Sequence, residues 1–148
     1  PALAEFIENV HPEGKTALYE GISNIALPAG RGVTVLVSDL LDEGGYQRAL
    51  QSLLYRKQET SVLQVFSRAE WEPQLEDVVE LCDSETDAKM ILSAGFETIK
   101  RYQDTARAYV EEIDAFCRKY GMTHVFLLPE EPFEEQMLRE LSRCGLIT

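Results

Sequence analysis

The chain reads as an α/β domain with a short parallel sheet packed between helices. Three observations predict this. Short apolar, β-branched runs recur at residues 33–37, 61–66 and 123–128. Stretches of helical periodicity separate them, and strands alternating with helices imply parallel pairing through right-handed crossovers. The first run, VTVLVSDLLDEGG over 33–45, breaks off in Ser38-Asp39 and continues in acids and glycines. A central parallel strand is apolar on both faces and gathers polar chemistry at its carboxyl end.

The elements follow in order. Leu3, Phe6, Ile7 and Val10 suit a short opening helix. A second helix starts near Thr16, with Leu18, Ile22 and Ile25 at helical spacing, until Pro28, Gly30 and Gly32 break the pattern. After the strand Val33–Val37 and Gly44-Gly45, a helix carries Tyr46, Leu50, Leu53 and Leu54 on one face as far as Lys57. SVLQVF (61–66) is the second strand, and Trp71 and Pro73 follow in a loop. Residues 78–83 and 88–92 flank the polar turn Ser84-Glu85-Thr86-Asp87, which predicts an inserted β-hairpin. The longest helix spaces Phe96, Ile99, Tyr102, Ala106, Tyr109, Ile113, Phe116 and Tyr120 three to four residues apart, and Gly121 is its C-cap. THVFLL (123–128) is the third strand. Pro132 opens a last helix with Phe133, Met137 and Leu141 facing inward.

With 148 residues and no repeat, one domain spans 1–148. The net charge of −12 argues against nucleic acid and anionic membrane surfaces, which need clustered Lys and Arg. Residues 70–87 hold eight acids and no Lys or Arg, either a solvated edge or a docking face for a basic partner. Cys82, Cys117 and Cys144 are widely spaced, as free thiols in a reducing compartment would be. No apolar run approaches the roughly 18 residues needed to cross a bilayer. A cytoplasmic location is expected, with or without a tether upstream of Pro1.

Candidate chemistry centres on Asp39, where open α/β sheets bind ligands. Ser38, Asp42 and Glu43 add oxygens of the kind Mg²⁺ favours. Equally, Asp39 or Asp42 could cap the helix beginning near Glu43. Glu70, Glu72 and Glu85 have no spacing that fixes acid–base work. His124, inside a strand, reads as a satisfied core residue, and Cys117 and Cys144 as small hydrophobes on helix faces. No GxxxxGK[ST] and no GxGxxG after a strand occurs. Trp71 is either a lid over the core or an interface anchor.

Gly14-Lys15-Thr16-Ala17-Leu18 followed by VLVSDLLD resembles the second half of a von Willebrand factor A domain. More specifically, the chain resembles the bacterial family called domain of unknown function 58. The resemblance is carried by VLVSDLLDEGG, SVLQVF, Glu70 and Pro73 in EWEP, Asp83 and Glu85-Thr86 in CDSET, Tyr109, and the closing THVFLLPEEPFEEQMLRELSRCGLI. It implies a truncated three-layer Rossmann-like fold lacking the strands before Leu3, one of which would lie beside Val33–Val37.

In such domains three loops hold a divalent cation. Thr16 resembles the second element and Asp39, beside Ser38, the third, while the Asp-x-Ser-x-Ser of the first is absent. Mg²⁺ takes about six oxygens in octahedral geometry, so a vestigial site with weak Mg²⁺ binding or none is expected. The resemblance implies a non-catalytic protein-interaction module whose partner is a MoxR-type AAA+ ATPase. Asp42 and the Glu70, Trp71 and Glu72 segment are its candidate contact surfaces. The strand 33–37, exposed as an edge, is expected to associate with another copy. The rival reading is a Mg²⁺-dependent hydrolase or phosphotransfer domain using Asp39 and Asp42.

Overall fold

A computed structural model describes residues 2–11, 17–25, 31–73, 79–82, 89–92 and 96–143. Thr16, Pro28, Gly30, Glu76, Asp77, the turn 84–87 with Asp83, Gly95 and Cys144 lie outside the described residues. The elements are α1 (Ala2–Glu8), α2 (Leu18–Asn24), β1 (Gly32–Ser38), α3 (Gln47–Tyr55), β2 (Gln58–Val65), α4 (Arg68–Trp71), β3 (Val79–Cys82), β4 (Lys89–Leu92), α5 (Phe96–Lys119), β5 (Thr123–Leu127) and α6 (Phe133–Arg143). β1, β2 and β5 form a parallel sheet in that order, with Leu36 opposite Val62 and Val62 opposite His124. β3 and β4 pair antiparallel as the expected hairpin, in a separate sheet. The fold is α/β, a short three-stranded parallel sheet flanked by helices, compatible with a truncated Rossmann-like architecture.

The core gathers where the periodicity places it. Ile22 of α2, Tyr46, Ala49, Leu50 and Leu53 at and within α3, Val62 of β2 and Ile113 and Cys117 of α5 are buried together with Leu40 and Met122. Tyr46 stands edge-on to both Tyr109 and Phe116, at ring-centroid distances of 6.1 and 5.3 Å. Its hydroxyl donates to the Glu112 carboxylate at 3.0 Å, so the polar tip of the ring is satisfied at the core's margin. Gly121 takes a φ of 68°, and the Met122 N–H bonds back to the Cys117 carbonyl, as the expected C-cap of α5.

Charged side chains from elsewhere in the chain fasten both ends of the seven-residue helix α2. At its start the Asp42 carboxylate accepts from the Leu18 N–H at 2.6 Å. At its end the Arg56 guanidinium donates to the carbonyls of Ile22, Ser23 and Ile25 at 3.0–3.1 Å. Each charge opposes the partial charge of the helix end it meets and satisfies groups with no partner inside the helix. A helix this short is marginal alone, so tertiary fastening of this kind sustains it.

Three expectations need correcting. Phe133 does not face inward: it is 57% exposed. The buried position of α6 is Gln136, whose amide accepts from the Leu128 N–H and donates to the Leu128 carbonyl, both at 2.8 Å. A side-chain amide thus extends the backbone bonding of β5 past its end, which an apolar periodicity cannot reveal. The Leu141 side chain lies outside the described residues. Trp71 is not in a loop but ends α4, whose first turn is closed by a Ser67–Glu70 capping box. Finally, neither Asp39 nor Asp42 caps the helix after β1. That helix starts only at Gln47, and Asp42 caps α2 instead.

Candidate functional site

All three strands of the sheet are parallel, so their carboxyl ends open onto one rim. Ser38, Asp39 and Asp42 follow β1 there. Glu70, Trp71 and Glu72 follow β2 on the same rim, and Leu128–Pro132 follows β5. The sheet therefore brings the sequence-selected residues to one end of the molecule, the end at which open α/β sheets place ligands.

The loop 39–45 is closely determined. The Ser38 hydroxyl accepts from the Leu40 N–H and the Asp39 carboxylate from the Leu41 N–H, both at 3.0 Å. Asp42 accepts from the Gly44 N–H at 2.6 Å with the oxygen that does not hold Leu18. Short oxygen-bearing side chains that bond their own backbone two residues on are what this tight turn requires. Leu40 adopts a φ of 64°, a left-handed conformation unusual for a branched side chain, and it is buried. The surroundings impose it: the Leu40 side chain enters the core, and the Tyr109 hydroxyl donates to its carbonyl at 2.5 Å. Burial, then the negative charges of Asp39, Glu112 and Asp42, raise the Tyr109 pKa, so this phenol remains a proton donor to Leu40.

A buried relay ties the loop to the far edge of the sheet. The Gln64 amide nitrogen donates to the Asp39 carbonyl at 3.2 Å, and its amide oxygen meets His124 Nε2 at 3.0 Å. With Gln64 oriented so, Nε2 donates to its amide oxygen, and Nδ1 lies 3.3 Å from the Asp114 carboxylate. His124 is thus the satisfied core residue its strand position predicts. Gln64 and Tyr109 position the loop most directly. The signal for Gln64 was a polar residue in the middle of an otherwise apolar strand.

The second surface is more self-contained. Glu70 accepts from both the N–H and the hydroxyl of Ser67 at 2.7 Å, and Glu72 pairs with Arg68 at 3.4 Å. Trp71 is half-buried, its ring 4.6 Å from that of Phe126 and 6.4 Å from that of Phe66. Arg68 ties α4 to the loop after β5 through Glu131 at 2.8 Å. These contacts make Trp71 a lid on the end of the sheet. Thr16, the remaining candidate ligand, lies outside the described residues, although Leu18, two residues on, sits at Asp42. Among the described residues no three His, Cys, Asp or Glu side chains converge as a metal-binding group.

Asp42 is expected to act in stability before chemistry. Asp42→Ala frees the first N–H of α2 and the Gly44 N–H together, and should cost about 1–2 kcal/mol in a urea titration. Asp42→Asn, which keeps acceptor capacity but loses the charge at the helix start, should cost less.

No family model matches the chain, and no curated protein does. A solved structure, the conserved hypothetical protein BatB from Bacteroides thetaiotaomicron, is similar at 14% identity and a TM-score of 0.44. The similarity covers 99% of this chain and 69% of that one. No helix among the described residues is long and apolar enough to cross a membrane.

Proposed function

We propose that the chain is a non-catalytic protein-binding module of von Willebrand factor A type, which presents the β1 rim to a protein partner. The partner this reading names is a MoxR-type AAA+ ATPase. The observation that carries it is the construction of loop 39–45. Its polar side chains spend their bonding on the loop's own backbone and on α2, and what they hold outward is a pair, exposed Asp39 beside Leu41, 58% exposed. An apolar side chain and an acid on a rigid turn suit a protein surface, because little order is lost on docking.

The rival reading, a Mg²⁺-dependent hydrolase or phosphotransfer domain, asks Asp39 and Asp42 for free carboxylate oxygens. Both Asp42 oxygens already accept backbone N–H groups, so the oxygens present fit a resident Mg²⁺ poorly. The test is a binding titration of this chain against a purified MoxR-type ATPase from the same genome. The wild type should bind, and Asp39→Lys with Leu41→Ser should weaken binding at least about tenfold, as loss of a central contact pair does. No binding by the wild type would refute the choice of partner. In parallel calorimetry with Mg²⁺ and Mn²⁺, tight binding would favour the rival.

A further inference from the structure

On β5, the strand farthest from β1, geometry and charge together decide the protonation state of a buried histidine. His124 is 4% exposed and has a partner at each ring nitrogen. Gln64 fixes the first. Its amide nitrogen faces the Asp39 carbonyl, which can only accept, so its amide oxygen is turned to Nε2 and Nε2 carries a hydrogen. The second nitrogen, Nδ1, meets Asp114 Oδ1 at 3.3 Å. A ring with its single hydrogen on Nε2 would aim the Nδ1 lone pair at a carboxylate oxygen, acceptor against acceptor. A proton has to lie between them. Arg118 pairs with the other oxygen, Oδ2, at 3.0 Å, as a guanidinium does with an ionised carboxylate, so the proton belongs to the ring. The remaining surroundings agree in sign. β5 packs against β2, α5 and α6. β2 presents the uncharged Gln64, while Glu111 and Asp114 of α5 and Glu140 of α6 share a small cavity with His124. The buried Cys117 thiol, which feels the Asp114 charge, is neutral. Three carboxylates against one guanidinium favour a positive ring and oppose the cost of burying it.

We propose that His124 is a buried imidazolium at neutral pH, with a hydrogen on each ring nitrogen, and that this charge locks loop 39–45 through Gln64. Removing one proton leaves a ring that can donate to only one of its two neighbours. If the hydrogen stays on Nε2, the Nδ1 lone pair opposes Asp114. If it stays on Nδ1, Nε2 becomes an acceptor and the Gln64 amide turns over to donate to it. The Gln64 oxygen then opposes the Asp39 carbonyl. The second arrangement keeps the bond to the charged Asp114, the stronger of the two, and gives up the hold on Asp39. The rim is thus held by a proton, and this stands whatever the rim binds. An unfolded histidine is mostly neutral above about pH 6.5, so folding takes up a proton beyond that value. The stabilisation is full below it and is lost as pH rises through the titration of the folded ring.

Nitrogen NMR of the unmodified chain tests this, with exposed His11, the only other histidine, in the same spectrum. At about pH 7.5, where an ordinary imidazole is neutral by roughly ten to one, both His124 nitrogens should still carry hydrogens. A neutral His124 ring there overturns the proposal. As pH rises further and His124 loses its proton, the amide resonances of Leu40, Leu41 and Gly44 should shift with the same midpoint. A His124 titration that leaves all three unmoved overturns the lock. Asp114→Asn probes the charge itself. An asparagine amide can donate to a bare Nδ1, so the ring needs no second proton and the Gln64 bond survives. The His124 midpoint should fall by at least about one pH unit, a tenfold loss of proton affinity, and the loop amides should cease to follow it. An unchanged midpoint in Asp114→Asn overturns the assignment of the charge.

Discussion

Replacing Gln64 with leucine should lower the stability of the domain by about 2–4 kcal/mol, one of the two largest effects expected here. Gln64 is wholly buried and makes two different bonds, to the Asp39 carbonyl and to the His124 ring. Leucine fills similar space and forms neither. The cost is therefore that of one bond lost at the buried His124 ring and one at the part-buried Asp39 carbonyl, each about 1–3 kcal/mol. Gln64→Glu separates the two bonds, because a carboxylate still accepts from His124 Nε2 but cannot donate to Asp39. The check is a double-mutant cycle with His124→Leu, read from urea midpoints. A coupling near zero between positions 64 and 124 would show that the relay does not act as a unit.

The second large effect is alkaline destabilisation. Burial, with the Asp114 charge adding to it, raises the Cys117 thiol from 9.0 to about 11. Burial raises Tyr46 strongly, helped by its hydrogen bond to Glu112 and by that carboxylate's charge. Both groups are neutral when protonated, so the unfolded chain gives up these protons first. Their contribution is fully present below the unfolded values and is lost as pH rises through the folded ones. For Cys117 the loss begins near pH 9 and is complete past about pH 11, amounting to about 3 kcal/mol. Tyr46 extends the decline above pH 10. Cys117→Ala should flatten the lower part of this profile and Tyr46→Phe the upper, whatever each does to stability at neutral pH. A wild-type profile level from pH 8 to 11 would contradict the argument.

Hydropathy carried the architecture and missed most of what positions the rim. The strands at 33–37, 61–66 and 123–128 were legible because all three are apolar on both faces. The start of β2 was not. Gln58 and Thr60 are buried polar residues, Gln58 bonded to the Arg56 carbonyl and Thr60 to that of Gln58, and they broke the apolar run. Asp42 stands out in the sequence as an acid at a strand end, but the helix it caps lies 24 residues upstream, out of reach of the local capping alternative. Arg56 was invisible for the same reason. Nothing in a linear pattern says that a charge at the end of α3 closes the end of α2. Leu40 carried no signal either, since leucine is a poor choice for a left-handed turn and only packing against α5 makes it tolerable.

The chain has a single tryptophan, and its ring lies edge-on to Phe66 and tilted against Phe126 rather than among the residues around Ile113. Its emission therefore reports the seating of α4 on the end of the sheet, while circular dichroism reports the helices. Heating followed by both signals reads the rim and the interior separately, and a gap between the two curves would measure how independently the rim can come loose.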